Sequence, residues 1–401
     1  MGEARHLDFE RLYAKTAPPP RDRTVVKRGK YDFAIAYPDP HSLPLDDLVE
    51  SLREALDEEG ANLAVYPHLQ GYPPLRQYVA EKLARERAIN VSPDDIILGD
   101  GSSQPIYMAL EALLDVGDVV LTEDYFYQGT LVTMRRFRAD VRGIPCDADG
   151  MLPDALDSAI VRAQQQGKRP KLIYTIPTYH NPQGWTMPFE RRKAIVRVAQ
   201  KHGVPILEDD CYVDLRYDGD VPPSLWSLDG AGHVMYVSSF SKTIAPGMRI
   251  GYIAAPTAVV DRLRAVKSGS GVNQFTALAV HRYALKHLDK HIPEINDVQR
   301  ARRDAMLAAL GENFGSQATW SRPMGGLFIW LKMAEGTDLV KLRDIALKDE
   351  VGYIPGPMFA PDGVTGKNYA RLCFGYNTPE EIHEGIARLA DVFAREGALQ
   401  G

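Results

Sequence analysis

The sequence predicts an α/β protein with a large domain and a smaller α+β domain at its C-terminal end. From Leu45 to about residue 285, short apolar runs alternate with amphipathic helical patterns. This alternation is typical of a mostly parallel, seven-stranded-type sheet covered by helices on both faces. The chain has 401 residues, of which 45% are hydrophobic, so it has enough material for one large core and a second, smaller one.

The predicted elements follow one another in three parts. Residues 1–45 contain Ala17-Pro18-Pro19-Pro20 and Tyr37-Pro38-Asp39-Pro40, and this proline content predicts an extended arm that packs against another surface. A large domain is predicted over 46–285 and a small domain over 286–401. The large domain contains amphipathic helices over 46–58 and 75–87, and its short apolar runs predict strands at 96–98, 119–121, 172–174, 204–207, 235–237 and 250–253. A long helix over 281–310 leads into the small domain, which has strands at 327–331 and 369–374 and a closing helix over 379–395.

Charge and cysteine content limit the partners and the compartment. The formal net charge is −6 and no basic run occurs, so nucleic acid and anionic membranes are poor partners. The cysteines Cys146, Cys211 and Cys373 are odd in number and widely spaced, which predicts neither a disulfide framework nor a metal site. We expect Cys211 to be a packing residue. The N-terminus lacks an apolar leader and no window reaches the roughly 18 continuous apolar residues of a membrane span, so we expect a soluble, cytoplasmic protein.

The most informative residue is Lys242, which directly follows an apolar run that reads as a strand. It lies in Ser239-Phe240-Ser241-Lys242, and Arg249 follows a few residues later. An amine at a strand end, flanked by hydroxyl groups, can form a Schiff base with a phosphorylated aldehyde while its neighbours hold the phosphate. The cofactor with this chemistry is pyridoxal 5'-phosphate.

Two upstream segments supply partners for the ring of such a cofactor. Asp209 follows the strand at 204–207, where its carboxylate can pair with a protonated pyridine nitrogen, and Tyr212 can reach the phenolic oxygen. Asn181 lies in an Asn-Pro turn after the strand at 172–174 and is a second partner for that oxygen. Taken singly, these residues are better explained as a capping aspartate, a core tyrosine and a turn asparagine. Open α/β sheets bind ligands at the carboxyl ends of their strands, so all three in this order favour a cofactor site.

The segment Gly99-Asp100-Gly101-Ser102-Ser103-Gln104 predicts a phosphate site. The dinucleotide fingerprint fails because Gln104 occupies the position of its third glycine. A strand, a glycine turn and the start of a helix remain. A helix start offers free amides and the positive end of its dipole to a phosphate, and Ser103 and Gln104 are placed to contribute them.

With these segments the chain resembles the fold type I pyridoxal-phosphate enzymes, specifically the class I/II aminotransferases of the aminoadipate/kynurenine and aromatic branch. The resemblance extends over nearly the whole chain and also involves residues 62–66, 123–129, 323–328 and 371–374. It implies that Ser239 and Arg249 complete the phosphate site and that Tyr127 stacks on the pyridine face. It further implies that Tyr66 reaches the phosphate of the neighbouring subunit, in a homodimer with shared active sites.

The resemblance also implies the site residues and the reaction. Arg371 matches the arginine that holds the substrate α-carboxylate bidentately. Asn181 and Tyr37 are the other expected substrate-binding residues, and Lys242, Asp209 and Tyr212 are the expected catalytic ones. The implied reaction is the ping-pong transfer of an amino group from an L-amino acid to a 2-oxo acid. The expected cofactor site comprises Tyr66, Ser102, Ser103, Gln104, Tyr127, Asn181, Asp209, Tyr212, Ser239, Ser241, Lys242 and Arg249.

Departures from the family pattern leave alternatives open. Residues 33–40 lack the usual glycine-rich stretch, and Gln183 adds bulk after Asn181-Pro182. A second interpretation keeps the cofactor but changes the reaction to elimination, replacement, carbon–carbon bond formation or oxidative deamination. A third class, transcription regulators with an aminotransferase-like effector domain, needs an N-terminal helix-turn-helix of about 70 residues or more. The resemblance begins by about residue 30, which disfavours that class. The preferred amino acid stays open between aromatic, aliphatic and aminoadipate-like, with pocket positions guessed at Tyr37, Tyr125, Asn273 and Phe359.

Overall fold

The computed structural model describes residues 7–14, 17–18, 20 and 28–399, and the parts of the predicted arm at 1–6, 15–16, 19 and 21–27 lie outside the described residues. The α-helices are α1 Leu45–Glu59, α2 Pro73–Arg87, α3 Ser103–Leu113, α4 Gln128–Arg136, α5 Pro153–Gln165, α6 Phe189–His202, α7 Leu225–Asp229, α8 Thr257–Val266, α9 Gln274–Tyr283, α10 Asp289–Phe314, α11 Leu339–Lys348 and α12 Pro379–Arg395. The strands are β1 Tyr31–Asp32, β2 Ile96–Asp100, β3 Val119–Glu123, β4 Asp140–Ile144, β5 Cys146–Asp147, β6 Gly150–Met151, β7 Pro170–Thr175, β8 Ile206–Asp209, β9 Val234–Ser239, β10 Ile250–Ala254, β11 Thr319–Trp320, β12 Phe328–Lys332, β13 Val351–Gly352, β14 Ile354–Pro355 and β15 Tyr369–Cys373.

The main sheet has seven strands in the order β2-β10-β9-β8-β7-β3-β4. Strand β10 is antiparallel to both of its neighbours, and the other neighbouring pairs are parallel. All strands except β10 therefore point the same way, which brings the carboxyl ends of β2, β7, β8 and β9 to one edge. The predicted mostly parallel sheet is confirmed. Strand β4 was not predicted because it is an edge strand with largely part-exposed residues and no apolar run.

Helices cover both faces of this sheet, as predicted. Ile96 and Leu98 of β2 pack into one apolar cluster with residues of α2 and α9. Ile97, between them, packs on the opposite face with residues of α3 and α8. Successive side chains of a strand point to opposite faces, so this alternation shows that each face has its own core.

The C-terminal part is built on an antiparallel sheet with the order β11-β12-β15-β14. Helix α12 begins with a capping box between Thr378 and Glu381 and buries Ile382, Ile386 and Leu389 at helical spacing. These side chains join one apolar cluster with α10 and this sheet. In the described part of the chain, no helix combines the length and the apolar character that a membrane crossing requires.

Two predicted features differ from the structure. The helix expected over 281–310 is instead α9, a π-helical turn at Ala284–Leu288, and α10, which continues to Phe314. The apolar periodicity continues through the π turn, so the sequence pattern did not mark it. In the expected arm, β1 pairs with β13 and Phe33 is buried in the core of the C-terminal part, so this stretch is integrated into that core. The boundaries at residues 46 and 286 stay predictions.

Gly385 of α12 tests how closely β1 packs on that helix. A Cβ atom at this position would lie 2.7 Å from the Cβ of Tyr31 and 2.7 Å from the ring of Phe33. We expect Gly385→Ala to lower the free energy of unfolding by about 1–3 kcal/mol through overpacking, although alanine is the better helix former. Denaturant unfolding measures the change. Gly311→Ala in α10 is the control, because no atom lies within 4 Å of its Cβ, and this variant should be neutral or more stable. Equal stability of the two variants would contradict close packing at Gly385.

Candidate active site

A cavity of about 120 Å³ lies at the carboxyl edge of the main sheet. It forms where the chain leaves β2, β7, β8 and β9, so residues far apart in sequence meet there. Its lining consists of Ser102, Ser103, Tyr127, Ile176, Asn181, Asp209, Cys211, Tyr212, Ser239, Ser241, Lys242, Pro246 and Arg249. Ten of these residues belong to the predicted cofactor set.

Lys242 follows the end of β9 and its side chain runs to the cavity. Its Nζ donates a hydrogen bond to the carbonyl oxygen of Ala36, at 2.8 Å. Burial lowers the pKa of Lys242 from its ordinary value, because a charged ammonium loses hydration inside the protein. A larger share of the amine is therefore neutral near pH 7 than in an exposed lysine, and neutral amine is the form that acts as base or nucleophile.

Strand β8 ends with Glu208 and Asp209, Asp210 follows it directly, and the alternation of side chains separates the roles of these three acidic residues. Asp209 faces the cavity, whereas Glu208 accepts hydrogen bonds from the backbone of α7, at Leu225 N (2.9 Å) and Trp226 N. Asp210 accepts hydrogen bonds from Arg87 and from the hydroxyl of Tyr236, each at 3.0 Å. Burial raises the pKa of Glu208 to about 7, with a further contribution from the charge of Asp210. Asp209 alone is thus available to a bound molecule.

The Asp209 carboxylate has a donor that the sequence did not reveal. The hydroxyl of Tyr174, on β7, donates a hydrogen bond to Oδ2 of Asp209 at 2.6 Å. Burial raises the pKa of Asp209, while hydrogen bonds from Tyr174 and Cys211 act in the opposite direction. The sequence pattern predicted only that Tyr174 belongs to an apolar strand. The signal for this contact is that its strand lies next to the one that ends at Asp209.

Asn181 joins two of the other predicted residues. Its Nδ2 donates to the hydroxyl of Tyr212 at 3.3 Å, and its Oδ1 accepts from Nη1 of Arg371 at 3.0 Å. A second nitrogen of Arg371 donates to the carbonyl oxygen of Ala34. The guanidinium carbon lies 4.6 Å from the ring centre of Phe328 and 5.1 Å from that of Phe359. These rings fix the plane of the guanidinium, and its buried Nε has no hydrogen-bond partner among the residues that the structure describes.

The opposite end of the cavity carries the helix start and Arg249. Helix α3 begins at Ser103, so the first amides of this helix lack partners within it. The hydroxyl of Ser239 donates to that of Ser241 at 2.8 Å. Nε of Arg249 lies 3.0 Å from Oδ1 of Asp100, and the arginine side chain is 46% exposed. Asp100, which sequence reasoning did not single out, therefore tethers Arg249 at the cavity edge.

Gly101 makes room for that arginine. It has a φ of +62°, and a Cβ atom there would lie 2.3 Å from Nη2 of Arg249. The turn before α3 thus requires glycine both for its backbone conformation and for the close approach of the guanidinium.

Some predicted residues lie outside the cavity lining. The side chain of Gln104 accepts a hydrogen bond from Asp100 N at 3.0 Å, so only its backbone amide belongs with the helix start. Tyr66 is 91% exposed and does not reach the cavity of its own chain. The hydroxyl of Tyr37 accepts a hydrogen bond from Arg28 at 2.7 Å.

The structure places the four guessed pocket positions and Cys211 in different surroundings. Tyr125 and Phe359 pack with Trp330 in a buried aromatic cluster beside Arg371. Asn273 caps α9 by accepting a hydrogen bond from the Thr276 amide and does not line the cavity. Cys211 packs against the C-terminal core as expected, but it also lines the cavity next to Asp209.

This donor set fits pyridoxal phosphate. The cavity offers an amine with a lowered pKa, a buried carboxylate, an amide–phenol pair, and a helix start beside an arginine. These groups complement an aldehyde, a pyridinium nitrogen, a phenolic oxygen and a phosphate, respectively. Fold and site together define a pyridoxal-phosphate enzyme of fold type I.

Comparisons with known proteins give the family. A sequence profile described as "Aminotransferase class I and II" matches residues 36–389. The chain is 33% identical to aromatic-amino-acid aminotransferase 1 of Thermococcus litoralis, over 98% of this chain and 97% of that protein. The structure of a kynurenine aminotransferase from Pyrococcus horikoshii, in complex with PMP, superposes with a TM-score of 0.91 at 32% identity, covering 97% of this chain and 98% of that one. The alpha-aminoadipate aminotransferase of Thermus thermophilus, complexed with N-(5'-phosphopyridoxyl)-L-leucine, gives a TM-score of 0.88 at 28% identity, covering 98% and 99%.

The chain therefore belongs to the class I and II aminotransferases. It is a pyridoxal-phosphate-dependent enzyme that transfers amino groups between amino acids and 2-oxo acids.

Gly101 provides a test of the arginine end of the cavity. We expect Gly101→Ala to displace the Arg249 guanidinium and to weaken binding of pyridoxal phosphate to the apoenzyme about tenfold, the effect of losing a charge-assisted hydrogen bond. Fluorescence titration of apoenzyme with cofactor measures the change. Gly117→Ala is the matched control: its φ is also positive, at +84°, but no atom lies within 4 Å of its Cβ. Equal affinities for the two variants would contradict a role for Arg249 at this edge.

Proposed function

We propose that Lys242 carries the cofactor and moves the proton in the transamination of an L-amino acid with an aromatic, aliphatic or aminoadipate-like side chain. The observation that carries this proposal is the position of the partly buried Lys242 amine in the cavity that Asp209, Asn181 and Tyr212 also line. Three relatives named above support the substrate class, because they are an aromatic-amino-acid, a kynurenine and an alpha-aminoadipate aminotransferase. The acceptor is 2-oxoglutarate or another 2-oxo acid.

The cofactor would be held by four groups of side chains. Asp209 pairs with the ring nitrogen, and Tyr212 and Asn181 donate to the phenolic oxygen. Tyr127 lies against the ring face; its own ring packs over Gly129, where a Cβ would come within 2.6 Å of it. The phosphate would accept hydrogen bonds from hydroxyl groups and backbone amides, and Arg249 would add its positive charge. These hydroxyl groups and amides belong to Ser102, Ser103, Gln104, Ser239 and Ser241.

Arg371 binds and orients the substrate. Its guanidinium, flanked by Phe328 and Phe359, presents paired N–H groups to the α-carboxylate, a geometry that lysine cannot reproduce. The carboxylate would replace the carbonyl of Ala34 as an acceptor. The flanking aromatic rings exclude water from the ion pair, which strengthens it.

Lys242 then acts on the bound amino acid. When bound, pyridoxal phosphate supplies an aldehyde that takes up the amino group and a ring that stabilises negative charge at the α-carbon. Nζ of Lys242, no longer held by the carbonyl of Ala36, would take the proton from the α-carbon and deliver it to the former aldehyde carbon of the cofactor, so the same nitrogen serves as base and then as acid. The lowered pKa of Lys242 supports the first role, because it favours the neutral amine that acts as the base.

The absorption spectrum of the purified enzyme, recorded under nitrogen with a panel of amino acids, tests this assignment. We expect the cofactor's visible band to bleach with the true donor and to return when a 2-oxo acid is added, because the amino group leaves in the second half-reaction. Lys242→Ala should lose this cycle and reduce kcat about 10³-fold or more.

Lys267→Ala is the matched control for that experiment. Burial lowers the pKa of Lys267, as it does that of Lys242, here to about 8, but Nζ of Lys267 donates to the carbonyl of Leu98 away from the cavity. It should keep the full spectral cycle. Retained turnover in Lys242→Ala would exclude the assignment, and ammonia released without an acceptor would show a reaction other than transamination.

We further propose a cytoplasmic homodimer in which Tyr66 reaches the cofactor phosphate of the partner subunit. Tyr66 is 91% exposed, and Leu63 and Val65 beside it are exposed as well, which is typical of an apolar surface that a partner covers. The three cysteines are free, which suits a reducing compartment.

Mixed dimers test whether Tyr66 acts across the interface. At limiting cofactor, Tyr66→Ala and Lys242→Ala homodimers should both be poorly active. A hybrid of the two variants contains one site with both Lys242 and the partner's Tyr66 intact, so co-refolding the variants should restore activity. If Tyr66 served its own subunit, no site in the hybrid would be intact and mixing would restore nothing.

A further inference from the structure

Tyr174 is a buried residue that the mechanism above does not use. It lies on β7, next to the parallel strand β8, and its hydroxyl crosses to Oδ2 of Asp209 at 2.6 Å. The same hydroxyl accepts a hydrogen bond from Oγ1 of Thr130, at the start of α4, at 3.3 Å. Thr130, Tyr174 and Asp209 thus form a chain of hydrogen bonds that ends on the carboxylate facing the cavity.

The direction of these hydrogen bonds is fixed by burial. Burial raises the pKa of Tyr174 well above its ordinary value, so its hydroxyl keeps its proton and remains a donor. Burial also raises the pKa of Asp209, whereas donation from Tyr174 lowers it. A buried carboxylate without donors favours its protonated form, and Tyr174 opposes this tendency.

Asp209 and the ring nitrogen of the cofactor would share one proton, and the protonation state of Asp209 shows on which of the two it lies. In one arrangement the proton is on the pyridine nitrogen and Asp209 is ionised; in the other, Asp209 holds the proton and the ring nitrogen is neutral. A hydrogen bond donated to the carboxylate stabilises only the first arrangement strongly, because charge-assisted hydrogen bonds exceed neutral ones in strength. A protonated ring is the stronger electron acceptor.

We propose that Tyr174 is a positioning residue that keeps Asp209 ionised and oriented, so that the cofactor's ring nitrogen stays protonated. This inference rests on the proposed pairing of Asp209 with that nitrogen. Thr130 strengthens the effect, since a hydroxyl that accepts a hydrogen bond becomes a better donor.

The test is the ¹⁵N NMR signal of enzyme reconstituted with pyridoxal phosphate labelled at the ring nitrogen, at neutral pH and without substrate. The chemical shift reports how closely the proton is bound to nitrogen. Wild type and Asp209→Ala define the two ends of the scale. Tyr174→Phe should move the signal from the wild-type end by roughly a tenth or more of that span. Losing a hydrogen bond to a charged group changes the ratio of the two proton positions about tenfold or more.

Tyr236→Phe is the matched control. Tyr236 is equally buried, on β9, and its hydroxyl donates to Asp210 at 3.0 Å, the aspartate that faces away from the cavity. This variant loses the same group and a similar hydrogen bond, but its nitrogen signal should coincide with that of wild type. Circular dichroism measures whether both variants fold. If Tyr174→Phe does not fold, Thr130→Val provides the test, with a smaller shift in the same direction.

The outcomes separate two possible failures. If Asp209→Ala leaves the nitrogen signal unchanged, the proposed pairing of Asp209 is wrong and the inference fails with it. If Asp209→Ala moves the signal but Tyr174→Phe and Thr130→Val match wild type, only the role of Tyr174 is overturned. A signal that moves equally in Tyr174→Phe and Tyr236→Phe would also overturn it, because general loosening of the sheet would then explain the shift.

Discussion

The common direction of β2, β7, β8 and β9 is the constraint on which the site depends. Parallel strands bring their carboxyl ends to one edge, and the chain leaves each strand there with polar residues. Reversing any of these strands would move its contribution to the opposite edge. The antiparallel β10 does not disturb this arrangement, because it places β2 and β9 on either side of itself in the same direction. The helices on both faces keep these strand ends in place by burying the apolar residues behind them.

Burial of charge is the main cost of this arrangement, and hydrogen bonds offset it. Lys242, Asp209 and Arg371 are each removed from water, and burial shifts the pKa of each toward the neutral form. The protein meets each group with a partner: the carbonyl of Ala36, the hydroxyl of Tyr174, and the amide oxygen of Asn181. An enzyme that needs a neutral amine but an ionised carboxylate must leave the effect of burial on the amine's pKa in place and oppose it for the carboxylate. The Lys242 amine has a single carbonyl as its hydrogen-bond partner, whereas the Asp209 carboxylate accepts hydrogen bonds that stabilise its charge.

The N-terminal stretch from Tyr31 to Ala36 links the two parts of the chain at the site. Strand β1 pairs with β13, and Phe33 lies in the core of the C-terminal part. The carbonyls of Ala34 and Ala36 then reach Arg371 and Lys242. This stretch departs from the family's glycine-rich pattern, yet its backbone oxygens contact both residues that would handle substrate.

The sequence by itself determined the fold class, most strands, and the segments that meet at the site, because apolar periodicity and strand-end polar residues are local signals. It identified Lys242, Asp209 and Asn181 from their places after strands. Only the tertiary structure decided which groups Glu208 and Asp210 contact, that Tyr174 donates to Asp209, and that Phe328 and Phe359 flank Arg371. The edge strand β4 and the π turn after α9 likewise left no local pattern. These features depend on contacts between residues distant in the chain, and such contacts are set by how the sheet and helices pack.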